Sequence, residues 1–234
     1  MNRPYVICHM PISVDGKVTG DFLKAERGKG GIDEFYRINR EFKADAFACG
    51  RSIMEPSFTD GFQPDLTPYA DAKIDRTDYI ADTEADAKRY ALSFDRYGKV
   101  GWKTPYIEND DHGYGGCHVV QVMCECVSDA YLAYLRDIGV SYIFAGEDDM
   151  DILLALQKLN KYFGIESIIL SGGAVLNGAF YNANLIDEIS LVVLTVSSQT
   201  SDKTLFDGNT GRKFKMKSSK VLQKGVAWVR YDRG

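Results

Sequence analysis

The chemistry in this sequence concentrates in short polar or glycine-bearing turns, each placed directly after an apolar run. The run Ile168-Ile169-Leu170 delivers the chain to Ser171-Gly172-Gly173, and Ala174-Val175-Leu176 follows at once as the start of a helix. Glycine lets backbone approach a ligand closely and accepts positive φ. The open amides and positive dipole end of a starting helix then suit a phosphate. The pattern is not G-x-G-x-x-G, and a tight strand-to-helix turn without a ligand has the same signature. A second turn, Ser13-Val14-Asp15-Gly16-Lys17, sets a hydroxyl, a carboxylate and an ammonium beyond the first apolar run. Those groups suit a polar heterocycle or a sugar; a capped turn closed by Asp15 ahead of Gly16 is the simpler reading. Gly50-Arg51-Ser52 again stands where a strand becomes a helix, and Ser93-Phe94-Asp95-Arg96 follows a further strand. Arg51 and Arg96 are the forked donors that a phosphate takes, or solvated surface side chains.

These turns need a sheet to hold them. Tyr5 to Val14, Ala44 to Cys49, Tyr90 to Phe94, Val119 to Val127, Val140 to Ala145, Glu166 to Leu170 and Glu188 to Val196 are strand-like. Between them lie helical patterns at Asp33 to Lys43, with Asp33 as N-cap, from Ser128 as N-cap through Leu135 and Arg136, at Met150 to Tyr162 and at Ala174 to Tyr181. The alternation predicts an α/β domain of three layers, α/β/α, on a mixed, mostly parallel sheet. Residues 213–231 predict an antiparallel hairpin around Gln223-Lys224-Gly225 at one edge. Ligands of such sheets sit beyond the carboxyl ends of the strands, and one long ligand with several phosphates would use all four turns. The Asp60–Asp78 stretch is predicted to be a surface loop or an excursion at the rim of a site, and Glu108–His118 a mobile loop. No composition break divides residues 1–234, so one domain is expected.

Composition narrows the function. The chain has 234 residues and a formal net charge of -5, which argues against broad nucleic-acid binding while leaving a small anionic ligand open. Its five cysteines show no CxxC spacing, and Cys124 and Cys126 are expected to be small buried residues on one strand face. A metal site at Asp110, Asp111 and His112 is outweighed by a solvated loop. His9 lies inside the first strand and is expected in the core. No signal peptide or membrane-length apolar stretch is visible, so a reduced, cytoplasmic setting is expected.

Taken in order, several pieces of the chain resemble the reductase domain of riboflavin biosynthesis, in the dihydrofolate-reductase-like superfamily. They are Arg3-Pro4-Tyr5-Val6, Ser13 to Lys17, Gly172 to Gly178, Leu185-Ile186-Asp187-Glu188-Ile189-Ser190-Leu191, and Val226-Ala227-Trp228-Val229-Arg230-Tyr231. The resemblance implies NADPH as hydride donor, a small-molecule substrate and a homodimer. It puts Ser171, Gly172, Gly173, Ala174, Val175 and Leu176 on the pyrophosphate loop, and Gly50, Arg51 and Ser52 on a second nucleotide contact. Ser93 and Arg96 fall where the adenosine phosphate is read. Ser13, Asp15 and Lys17 fall near nicotinamide and substrate, with Asp15 orienting the substrate or relaying a proton. The implied substrate is a phosphoribosylamino-pyrimidine, its phosphate met by Lys17, Arg37 or Arg40. A dihydrofolate- or pterin-type reductase on the same fold, and a nucleotide-binding protein without turnover, are the alternatives. The family usually has Glu where Ser171 stands and a small residue where Pro11 stands. The deaminase motifs HxE and PCxxC are missing.

Overall fold

A computed structural model describes residues 2–24, 26–82, 85, 87–111, 113–206 and 211–234. Its contacts divide the chain into two compact units, Met1–Pro4 with Asp45–Ile168, and Tyr5–Ala44 with Ile169–Gly234.

The first unit is built on β2 (Ala46–Gly50), β3 (Tyr90–Phe94), β4 (His118–Met123) and β5 (Ser141–Phe144). All three pairings, β2 with β3, β3 with β4 and β4 with β5, are parallel. These strands are buried almost throughout, which explains why they are continuous apolar runs and do not alternate. Helices α2 (Arg51–Met54), α3 (Asp129–Asp137) and α4 (Ile152–Phe163) belong to this unit. Ser128 caps α3 by accepting from the Tyr131 amide, and Asp151 caps α4 by accepting from the Leu154 amide. Gly164, at φ 63°, closes α4 in the left-handed conformation. The Asp45 carboxylate fastens the start of β2 by accepting from the amides of Glu166 and Ser167, each at 2.9 Å.

Two expected loops are fastened within this unit. Tyr79 exchanges both backbone hydrogen bonds with Tyr142, covering the outer edge of β5. Arg76 donates to the carbonyls of Glu125 and Val127 and pairs with Asp129. The second loop is fastened to itself at its ends. The Ile107 amide donates to Cys117, and Tyr114 is buried against Phe47. His112 lies outside the described residues. The cysteine expectation needs correction: β4 ends at Met123, so Cys124 is buried while Cys126 sits exposed in the turn beyond it.

The second unit carries β1 (Tyr5–Ile12), β7 (Glu188–Val193), β8 (Phe214–Val221) and β9 (Ala227–Arg233). β1 and β7 are parallel; β9 runs antiparallel to β7, and β8 antiparallel to β9. The mixed, mostly parallel character and the C-terminal hairpin therefore agree with expectation. The chain enters this unit within β6 (Ser167–Leu170) and continues into α5 (Ala174–Asn182). Helix α1 spans Glu26–Glu41, so Asp33 lies inside it and is not its cap. Phe22, Phe35, Ile38, Val192, Leu194 and Val226 form the core beneath it. His9 is fully buried, stacked on Phe35 with ring centroids 4.6 Å apart.

Candidate functional site

In the first unit the parallel register puts Cys49 opposite Ser93 and Gly50 opposite Phe94. The turns Gly50-Arg51-Ser52 and Ser93 to Arg96 therefore leave the sheet side by side. Gly50 is the N-cap of α2, with no side chain capping the helix. Arg51 is half-exposed and pairs with Glu55 at 3.3 Å. Ser93 is fully enclosed, and its hydroxyl has no hydrogen-bond partner among the described residues. Arg96 meets Asp149 at 2.9 Å and lies over the Tyr97 ring at 4.9 Å. Asp149 is 91% exposed, so this pair is weak and exchangeable for another anion.

The turn bearing Arg96 is fixed from below by a buried polar network that sequence reasoning missed. Asp95 Oδ2 accepts from the Lys99 amide, from the Val100 amide at 2.8 Å and from Gln121 Nε2 at 3.1 Å. Trp102 Nε1 donates to Gln121 Oε1 at 3.0 Å, and the Tyr131 hydroxyl donates to the Val100 carbonyl at 2.7 Å. Burial pushes the Asp95 carboxyl up from its ordinary value, against the pull of the Val100 and Lys99 amides and the Arg51 charge. The available signal was Gln121, a polar residue inside an apolar strand. Beside the turn opens a cavity of about 340 Å³, lined by Gln63, Tyr97, Lys99, Cys126 and Ser128 among others.

In the second unit, Gly172 has φ 96° and the Gly172–Gly173 peptide is cis. A Cβ on Gly172 would stand 3.2 Å from Met10 Cε, so the glycine brings backbone tight against β1. Gly173 is the N-cap of α5, again with no side chain capping the helix. The contrast with α3 and α4, capped by Ser128 and Asp151, is informative. A helix whose first amides have no side-chain cap leaves them to water or to a ligand. Ala174 is buried, whereas Val175 is 63% exposed.

Ser13, Asp15 and Lys17 form one tight turn beyond β1. Ser13 Oγ accepts from the Lys17 amide at 2.9 Å, and Asp15 accepts from the Ser198 amide at 3.0 Å. The Ser13 hydroxyl first, and the Ser198 amide second, hold the exposed Asp15 carboxyl below its ordinary value. It is therefore an anion fixed in direction. Lys17 Nζ donates to the carbonyl of Asp202 at 2.9 Å. Arg37 is engaged along α1 with Glu34, at 2.7 Å, and with Glu41. Among the described residues no cluster of His, Cys, Asp or Glu could hold a metal ion, and no helix is long and apolar enough to cross a membrane.

Fold and turns together define a class: an α/β protein on a mixed, mostly parallel sheet, with two glycine-capped helices after parallel strands. Residues 118–228, just under half of the chain, match the family model of the RibD C-terminal domain, and over that stretch the chain is RibD C-terminal domain-like. The fold is similar to that of RibD from Acinetobacter baumannii, with TM-score 0.66 and 20% identity over 99% of this chain. The chain spans 58% of that protein's length. A pyrimidine reductase-like protein from Corynebacterium diphtheriae gives TM-score 0.67 at 14% identity, covering 98% of this chain and 91% of the other. The riboflavin biosynthesis reductase Rib7 of Saccharomyces cerevisiae gives 0.63 at 11% identity, covering 99% and 90%. No curated protein matches the sequence.

Proposed function

We propose that this protein is an NADPH-dependent reductase of a phosphoribosylamino-pyrimidine, as in riboflavin biosynthesis. The observation that carries the reading is the glycine-capped start of α5, with Gly172 at φ 96°, inside the segment matched to the RibD C-terminal domain. The residues fit the cofactor: a side chain at 172 would crowd Met10, and the uncapped amides of Ala174, Val175 and Leu176 are donors suited to a pyrophosphate. NADPH, when bound, supplies a hydride from its nicotinamide C4 to an electrophilic carbon, a C=N or an opened sugar C=O.

The chain's own residues bind and orient. Gly50, Arg51 and Ser52 are assigned to nucleotide contact. Arg96 is assigned to the adenosine phosphate, for which its exposed partner Asp149 would be exchanged. Ser93 belongs to the same assignment, its enclosed hydroxyl being without a partner among the described residues. Asp15 serves as a fixed carboxylate that orients the substrate, with Ser13 and Lys17 beside it. NADPH in preference to NADH, a homodimer and a cytoplasmic location belong to the same reading.

Titration with NADPH, followed by nicotinamide fluorescence, tests it. Micromolar binding is expected, with loss of nicotinamide absorbance when 5-amino-6-(phosphoribosylamino)uracil is added. No binding at millimolar NADPH would sink the reading, and binding without oxidation would remove the catalytic part. Gly173→Val should weaken NADPH binding at least about 100-fold, since one lost helix-start contact to a charged oxygen is worth about 3 kcal/mol.

A further inference from the structure

The segment Ser198–Phe206 follows β7 and is fastened at both ends within the second unit. At its beginning it grips the turn beyond β1. The Ser198 amide donates to Asp15, the Ser198 hydroxyl donates to the Thr19 carbonyl at 3.2 Å, and the Lys203 amide donates to Thr19 Oγ1 at 2.7 Å. The Val18 amide donates to the Lys203 carbonyl at 2.9 Å, Lys17 bridges to Thr204, and Lys17 Nζ binds the carbonyl of Asp202. At its far end, Phe206 stacks on Tyr181 of α5 at 4.3 Å, and the Leu205 carbonyl accepts from Asn177 Nδ2 at 3.4 Å.

Asn177 is the singular residue here. It is fully buried on α5, and Nδ2 lies 3.9 Å from the position a Cβ on Gly172 would take. Its amide thus stands between the glycine turn and the segment that carries the Asp15 and Lys17 contacts. Among the described residues, one end of that amide makes a single long hydrogen bond. The other, Oδ1, has no partner among the described residues. A buried amide with one end unsatisfied is held in place from one side only, and it gains when its surroundings close on it.

We propose that Asn177 is a positioning residue: through its bond to Leu205 it couples the Gly172–Leu176 turn to the segment 198–206, so that filling the turn orders that segment and, with it, Asp15 and Lys17. The proposal rests on the assignment of the turn to the NADPH pyrophosphate. A ligand on the α5 amides fixes the first turn of the helix. Asn177 sits one turn further on and passes that constraint to the Leu205 carbonyl. The cofactor side thereby sets the geometry of the substrate side without touching it.

Hydrogen–deuterium exchange on the full chain, with and without saturating NADPH, tests the coupling. In the natural protein NADPH should slow exchange in the peptide spanning residues 198–206 about tenfold, as well as at 174–176. In Asn177→Ala, saturating NADPH should still protect 174–176, while the protection of 198–206 disappears. Asn177→Asp keeps the size but sets an acceptor against the Leu205 carbonyl; it should behave like the alanine variant and serves if that variant does not fold. A residue that merely filled space would lower the melting temperature and leave the NADPH-dependent difference intact. Binding of NADPH without protection of 198–206, or protection that persists in both variants, overturns the coupling. Failure of the natural protein to bind NADPH overturns the reading beneath it as well, and direct titration in the same samples separates the two.

Discussion

Asp95 shows how a single buried carboxylate supports a surface feature. It is 3% exposed, and its Oδ2 gathers two backbone amides and the Gln121 side chain beneath the turn that presents Arg96. Truncating it leaves three buried donors without an acceptor, each costing about 1 kcal/mol or more. Asp95→Ala should therefore destabilise the protein by about 3 kcal/mol, read as a shift in urea midpoint, and should weaken NADPH binding by loosening Arg96. Asp95→Asn retains one acceptor oxygen for the two amides and should cost about 1 kcal/mol. Equal losses in the two variants would show that the network does not hold the turn. The sequence displayed Asp95 in the Ser-Phe-Asp-Arg run but not its role. Its side-chain partner Gln121 lies 26 residues further along the chain, and the parallel pairing of β3 with β4 brings the two together. The glycine turns were legible because glycine announces its backbone. Which helix starts lack a side-chain cap was decided by three-dimensional placement.

Helix α1 is the element that sequence patterning described least well. Its first half, Glu26 to Gly31, contains Gly28, Gly30 and Gly31, which are poor helix formers, so the pattern became visible only from Asp33. The structure explains why glycine is tolerated there. A Cβ on Gly28 would lie 2.0 Å from the Phe22 carbonyl oxygen, and one on Gly31 would lie 2.5 Å from Leu194 Cγ. Close approach, and not flexibility, selects these residues. The helix gains contact with the core of Phe22, Ile38 and Leu194 in exchange for about 1 kcal/mol of propensity per glycine. Gly28→Ala, which would favour an isolated helix, should instead destabilise this protein by about 2 kcal/mol or more, because the obstacle is backbone. Gly30→Ala would meet the flexible end of Lys224 and should be nearly neutral. Chemical denaturation of both variants checks the contrast, and equal effects would refute the packing account. The strands of the first unit were legible as apolar runs because both faces are covered. The stretch 60–79 was not, since its order comes from Arg76 and Tyr79 reaching distant carbonyls.

At the scale of the whole molecule, each compact unit encloses one neutral histidine among the described residues, and acid should act on both. In the second unit His9 Nε2 donates to the Phe35 carbonyl at 3.1 Å. Its Nδ1 accepts from Ser190 Oγ at 3.0 Å, and that oxygen accepts in turn from Trp228 Nε1. In the first unit His118 Nε2 meets Ser141 Oγ at 2.9 Å. Burial lowers both imidazoles from 6.5 to about 4. Between those values the unfolded chain holds a proton on each histidine and the folded protein does not. Stability therefore rises with pH across that window and is lost as pH falls from about 6.5 to about 4. Each histidine contributes on the order of 3 kcal/mol to that loss. The buried Asp95 carboxyl, whose value is raised, works in the opposite direction, so the total slope alone does not isolate the histidines. The difference between proteins does. His118→Gln offers Ser141 a neutral polar partner and removes one titration, so its stability should depend less steeply on pH by about 1.4 kcal/mol per unit between pH 4 and 6.5. Urea unfolding at pH 4.5, 5.5 and 6.5 supplies the comparison. Parallel pH profiles for the two proteins would show that His118 takes up its proton as readily when folded as when unfolded.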